Sequence, residues 1–191
     1  MENTGEHLVG QYLKEILQCD FVEYNLQIKK VQGEIDVVGI NTSKRKVYVC
    51  EVATHLPTGL QYTKKSQPDN VDRLMKKFRK DIEYAEIFKD YVKIFMFWTP
   101  IVKDTKEGSK HNQLKDLNEI KERIKAEKSI DLQLIYGKKY YDCIQELRDI
   151  SKNQTKNMFS PIMRFMQIEE ALKKNLKKEI DECSKHQNTK E

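Results

Sequence analysis

Apolar positions along this chain change period several times, and each change marks an element. Leu8, Val9, Tyr12, Leu13, Ile16 and Leu17 recur at helical spacing, so a first helix is expected from a cap at Thr4 to about Gln18. Phe21, Tyr24, Leu26 and Ile28 supply the apolar weight of a strand over about 21–29. Ile35, Val37 and Val38, then Val47, Val49 and Val52, form two near-continuous apolar runs on either side of the polar turn 41–46. They read as a hairpin whose strands are covered on both faces. A polar loop with Pro57, Gly59 and Pro68 follows. Asp69 or Asn70 can then cap a helix reaching about Lys89, with Val71, Leu74, Met75, Phe78, Ile82 and Ala85 as its inward stripe.

The run 92–99 is the clearest buried strand and stops at Pro100. An amphipathic helix over 112–127 leads to a strand over 131–136, which Gly137 breaks, and a helix over 139–151. Residues 152–157 read as a linker, and 158–183 as an amphipathic helix with Phe159, Ile162, Met163, Phe165, Met166 and Ile168 crowded at its start. A hairpin followed by strands alternating with helices predicts an α/β protein, a central mixed β-sheet flanked by helices with a C-terminal helical extension. The expected organisation is a domain over 1–151, the C-terminal amphipathic helix over 152–184 and a disordered tail over 185–191.

Composition narrows the partners more than the fold. Charged residues make up 34% of the 191 residues, against roughly a quarter in average proteins, and the net charge is +5. That balance permits a polyanionic partner. There is no 18-residue apolar run to cross a membrane and no basic, apolar signal pattern after Met1. The scattered Cys19, Cys50, Cys143 and Cys183 suit a reducing cytoplasm and argue against a zinc site.

Two acidic residues interrupt the apolar hairpin. A turn centred on Ser43–Lys44 pairs residues whose numbers add to 87, which sets Asp36 opposite Glu51. Their Cβ atoms are then roughly 5 Å apart on one face. Two like charges that close inside a sheet are costly to leave bare, and a hard divalent cation between them resolves the cost.

The element order, together with Gly33-Glu34-Ile35-Asp36, Glu51-Val52-Ala53 and Glu6 on the first helix, resembles the PD-(D/E)XK nuclease superfamily. Within it the Holliday-junction-resolvase and Mrr-like branches look nearest, and the resemblance covers about residues 4–100. It implies a restriction-endonuclease-like core and metal-dependent hydrolysis of DNA phosphodiester bonds. Asp36, Glu51 and the Val52 carbonyl would hold Mg²⁺ or Mn²⁺, helped by Glu6. Arg73, Lys76, Lys77 and Lys80, with Arg79, would line the approach of DNA.

The chain departs from the pattern at Ala53, where the superfamily usually carries the lysine that offsets charge on the phosphate. Three readings stay open. A lysine from elsewhere (Lys64, Lys65 or Lys77) takes the role, with His55 sharing the parity of Glu51; Ala53 is a Lys→Ala substitution that holds a nuclease inactive; or the site only binds. The alternative function is accordingly a catalytically dead nuclease-fold module that binds nucleic acid or protein. A homodimer through the Met- and Phe-rich C-terminal helix is compatible with either.

Overall fold

The structure, a computed structural model, describes residues 3–27, 33–106 and 111–188, with 179–188 described by backbone alone. The chain divides into two compact units, Met1–Cys143 and Ile144–Glu191. The division falls inside a helix that continues to Asn153, ahead of most of the polar stretch 152–157.

The first unit opens with α1 (Thr4–Glu15), capped by Asn3 rather than Thr4. Asn3 and Glu6 form a capping box, which satisfies backbone N–H groups of the first turn from both sides. The helix stops short of Gln18, which takes the left-handed conformation at φ 56°. Strands β1 (Phe21–Gln27), β2 (Glu34–Asn41) and β3 (Lys46–Val52) follow as antiparallel neighbours, and the continuation of the first strand to residue 29 lies outside the described residues. A two-stranded hairpin, β4 (Thr63–Lys64) and β5 (Gln67–Pro68), occupies the expected loop. Then come α2 (Asn70–Ala85), β6 (Val92–Trp98), α3 (Gln113–Lys128) and β7 (Gln133–Ile135).

The main sheet has the order β1-β2-β3-β6-β7, with β3, β6 and β7 parallel. It is therefore the mixed sheet that the alternation of elements predicts. All five β2–β3 pairs, from Val37–Cys50 to Asn41–Lys46, keep the expected register. One face carries α2 and α3, where Val47, Val49, Phe95 and Phe97 meet Leu74, Phe78, Leu117 and Ile120 in the buried core. Phe78 meets Phe97 edge-to-face at 5.9 Å. The other face receives α1 at close range. A Cβ at Gly10 would lie 2.0 Å from Tyr24 Oη, and one at Gly39 would lie 2.8 Å from Leu13 Cδ1. Only hydrogen at those two positions lets helix and sheet approach so nearly.

Gly137 does not merely break β7: it begins α4 (Gly137–Asn153) at φ 53°. In the second unit α5 (Pro161–Asn188) starts at its proline, a residue suited to the first helical position, and runs through 188 into the expected tail. Arg148 of α4 pairs with Glu169 and Glu170 of α5. Phe165, Ile168, Leu172 and Leu176 form an exposed apolar stripe on α5. No helix among the described residues is long and apolar enough to cross a membrane.

Candidate functional site

Period-two alternation along β3 sends Val47, Val49, Glu51 and Ala53 toward the α2 side of the sheet. Glu51 is therefore buried by necessity, at 2% exposure. On β2, Asp36 lies one step beyond the Val37–Cys50 pair and is also buried. Its carboxylate takes over from the backbone ladder there: Val52 N–H donates to Asp36 Oδ2 at 2.7 Å. Thus the recorded role of Val52 lies in its N–H.

The helix above supplies the counter-charge. Lys77 Nζ of α2 donates to Glu51 Oε2 and, at 3.4 Å, to Asp36 Oδ1. Burial works against the ammonium, but Glu51 and Asp36 outweigh it and hold the Lys77 pKa above the usual lysine value. Of the three candidate lysines, this is the one seated on the acid pair. Lys64 lies on β4, and Lys65 occupies a tight turn at φ 48°. Ala53 is buried within the apolar core.

One turn further along α2, Asp81 brings a third carboxyl to the cluster. It is 2% exposed, and its carboxyl is electrostatically linked to that of Glu51. Burial, joined by the neighbouring acids, pushes Glu51 well above the usual glutamate range, and burial pushes Asp81 up to about 7. Glu51 Oε1 and Asp81 Oδ2 face no donor among the described residues. A proton shared by these two carboxyls satisfies both. The sequence carried a signal for Asp81: it falls three residues after Phe78 and seven after Leu74, on the inward stripe, where an acid is out of place.

This pair makes stability depend on pH. Both folded-state pKa values are raised, so the native state binds more protons than the unfolded chain between about pH 4 and 7, and the pair's contribution to stability falls as pH rises through that window. Asp81→Asn removes one acid and offers an amide donor to Glu51. It is expected to match the wild type at pH 5 and to be more stable by roughly 2 kcal/mol at pH 8, or about 5 °C in Tm. Melting curves at the two pH values check this; a difference between the proteins that does not change with pH would contradict it.

Tyr62 was also missed, because it lies in a stretch read as loop. Its backbone N–H donates to Asn70 Oδ1 at 2.7 Å, and Asn70 Nδ2 donates to Leu60 O and Asp116 Oδ2, tying the loop to α2 and α3. The Arg73 guanidinium sits 4.4 Å from the Tyr62 ring centre, and His55 meets the ring edge-on at 5.2 Å.

Outside the acids lies an open concavity of about 390 Å³, lined by Lys64, Asp69, Asp72, Arg73, Lys76, Lys77 and Lys80. Five of those seven side chains are cationic. Arg79 is turned away, in a two-pronged pair with Glu127 of α3 at 2.7 and 2.8 Å. Glu6 is buried in the capping box, and Asn25 Nδ2 donates to it at 3.4 Å. Those partners tie Glu6 to the start of α1 and to β1. Among the described residues, no group of three or more His, Cys, Asp or Glu is arranged to hold a metal ion.

The site defines an α/β protein with a lysine-bridged acid cluster on a mixed sheet beside a basic concavity. No family model matches the chain, and a search of curated proteins found no match.

Proposed function

We propose that this protein is a divalent-cation-dependent nuclease that hydrolyses DNA phosphodiester bonds on a restriction-endonuclease-like core of the PD-(D/E)XK kind. One observation carries the reading: Lys77 Nζ rests on both Asp36 and Glu51, and the same side chain lines the basic concavity. The cation that Ala53 cannot supply thus comes from α2.

The donor set also fits the ion this reading needs. Asp36 Oδ1 and Glu51 Oε2 converge on a single positive centre, and Mg²⁺ or Mn²⁺ accepts one or two carboxylates while keeping several waters. When bound, the ion would polarise the phosphate and lower the pKa of an attacking water. Asp36 is held in place by Val52 N–H. Lys64, Arg73, Lys76 and Lys80 attract the backbone phosphates, and Lys77 offsets the charge that develops on the scissile one.

The test is cleavage of plasmid, linear duplex, branched and single-stranded DNA with Mg²⁺ or Mn²⁺. Asp36→Ala is expected to lose about a thousandfold or more, since ion and phosphate lose several kcal/mol of stabilisation. A second reading, a non-cutting nucleic-acid-binding module, is favoured by the fact that Lys77 already occupies the acid pair. Salt-sensitive DNA binding without cleavage under any of these conditions would select it.

A further inference from the structure

Lys77 belongs to two places at once. Its ammonium sits on Glu51 Oε2 and Asp36 Oδ1, yet its side chain is 35% exposed and forms part of the wall of the concavity with Lys76 and Lys80. The stem is four unbranched methylenes, long enough to swing between the two without moving α2. Asp36 and Glu51 are less free: both carboxyls are buried on short stems fixed by β-strand backbone, and Val52 N–H takes the second Asp36 oxygen. The acids are thus a fixed seat and the lysine its movable occupant.

From this geometry we infer that Lys77 and a divalent cation are alternatives on the same two carboxylate oxygens, so that cation binding releases the ammonium toward a phosphate in the concavity. Two cations cannot both take Glu51 Oε2 and Asp36 Oδ1 at contact distance without strong repulsion. In the concavity, whose wall also carries Asp69 and Asp72, a phosphate group held by Arg73 and Lys76 gives the released ammonium a partner. Metal and nucleic acid therefore bind with positive coupling, carried by a single side chain, and each raises the affinity for the other by the same factor. The inference rests on the metal site proposed above, and its test is separable from that proposal.

The experiment is calorimetric titration of the full chain with Mn²⁺, free and saturated with a short DNA duplex whose linkages resist hydrolysis. Wild type is compared with Lys77→Met, Lys77→Gln and Lys76→Met, each checked for folding by circular dichroism. In free protein, Lys77→Met and Lys77→Gln are expected to bind Mn²⁺ about five- to fiftyfold more tightly than wild type, because the competing ammonium is gone. On DNA the advantage is expected to vanish, since the wild-type lysine then rests on phosphate. In free protein Lys76→Met, which changes the concavity but not the acid seat, is expected to keep the wild-type Mn²⁺ affinity. Equal or weaker Mn²⁺ binding by both Lys77 variants in the free state would overturn the exchange while leaving the metal site standing. Absence of Mn²⁺ binding by every protein would overturn the metal site and the exchange together.

Discussion

Lys77→Met is expected to lower DNA cleavage at saturating Mg²⁺ by about 10²- to 10³-fold, the usual cost of deleting a preorganised charge that stabilises the transition state. The methionine keeps the stem and its packing along α2, so the loss reports the charge. It is expected in kcat rather than KM, because Lys64, Arg73, Lys76 and Lys80 still hold the backbone. The variant combines two outcomes rarely seen together: tighter metal binding and slower chemistry. A merely structural lysine would not give the combination, since loss of folding weakens metal binding as it slows cleavage. Single-turnover cleavage at several Mg²⁺ concentrations separates the cases. Wild-type rates from Lys77→Met would remove Lys77 from the chemistry and turn attention to Lys64, which lines the same concavity.

What the sequence made legible was what depends on local spacing. The turn between β2 and β3 set the register, and the register put Asp36 and Glu51 on one face. The apolar stripe of α2 and the buried run of β6 were readable for the same reason: each element repeats its burial with its own period. Lys77 was one of several candidates because its role depends on the packing of α2 on β3, and 26 residues separate it from Glu51. Nothing in local spacing measures that crossover. Asp81 is a different kind of miss, since its place on the inward stripe was visible.

At Glu6 a local motif and a candidate site residue coincide. Asn3 and Glu6 have the spacing of a capping box, with the acid at the third helical position. With Thr4 as the cap, that acid is either a first-turn charge answering the helix dipole or a helper at the metal. Its buried position remains compatible with a supporting role, but its recorded partners are Asn3 N–H and Asn25. Backbone accounting at helix ends therefore comes before any catalytic assignment in a first turn.

Ala53→Lys, which rebuilds the superfamily's usual lysine position, is expected to destabilise the protein by roughly 3–5 kcal/mol and to leave cleavage no faster. Ala53 is 2% exposed and belongs to the apolar core with Leu60 and Phe97, and its N–H is fixed on Trp98 O at 2.8 Å. A lysine stem there overfills the packing. Its ammonium must be buried beside the site Lys77 already fills on Glu51 Oε2, and reaching the other Glu51 oxygen costs the surrounding packing. For a chain of this size the loss corresponds to a fall of about 10 °C in Tm. Ala53→Met separates the causes: it adds volume without charge and is expected to cost about 1–2 kcal/mol. If Ala53→Lys instead melted with the wild type and cut DNA faster, position 53 would open onto the reacting phosphate, and the assignment of the catalytic cation to α2 would fall. The packing of Ala53 argues for the first outcome: a site whose lysine comes from the helix can let the strand position be filled by the core.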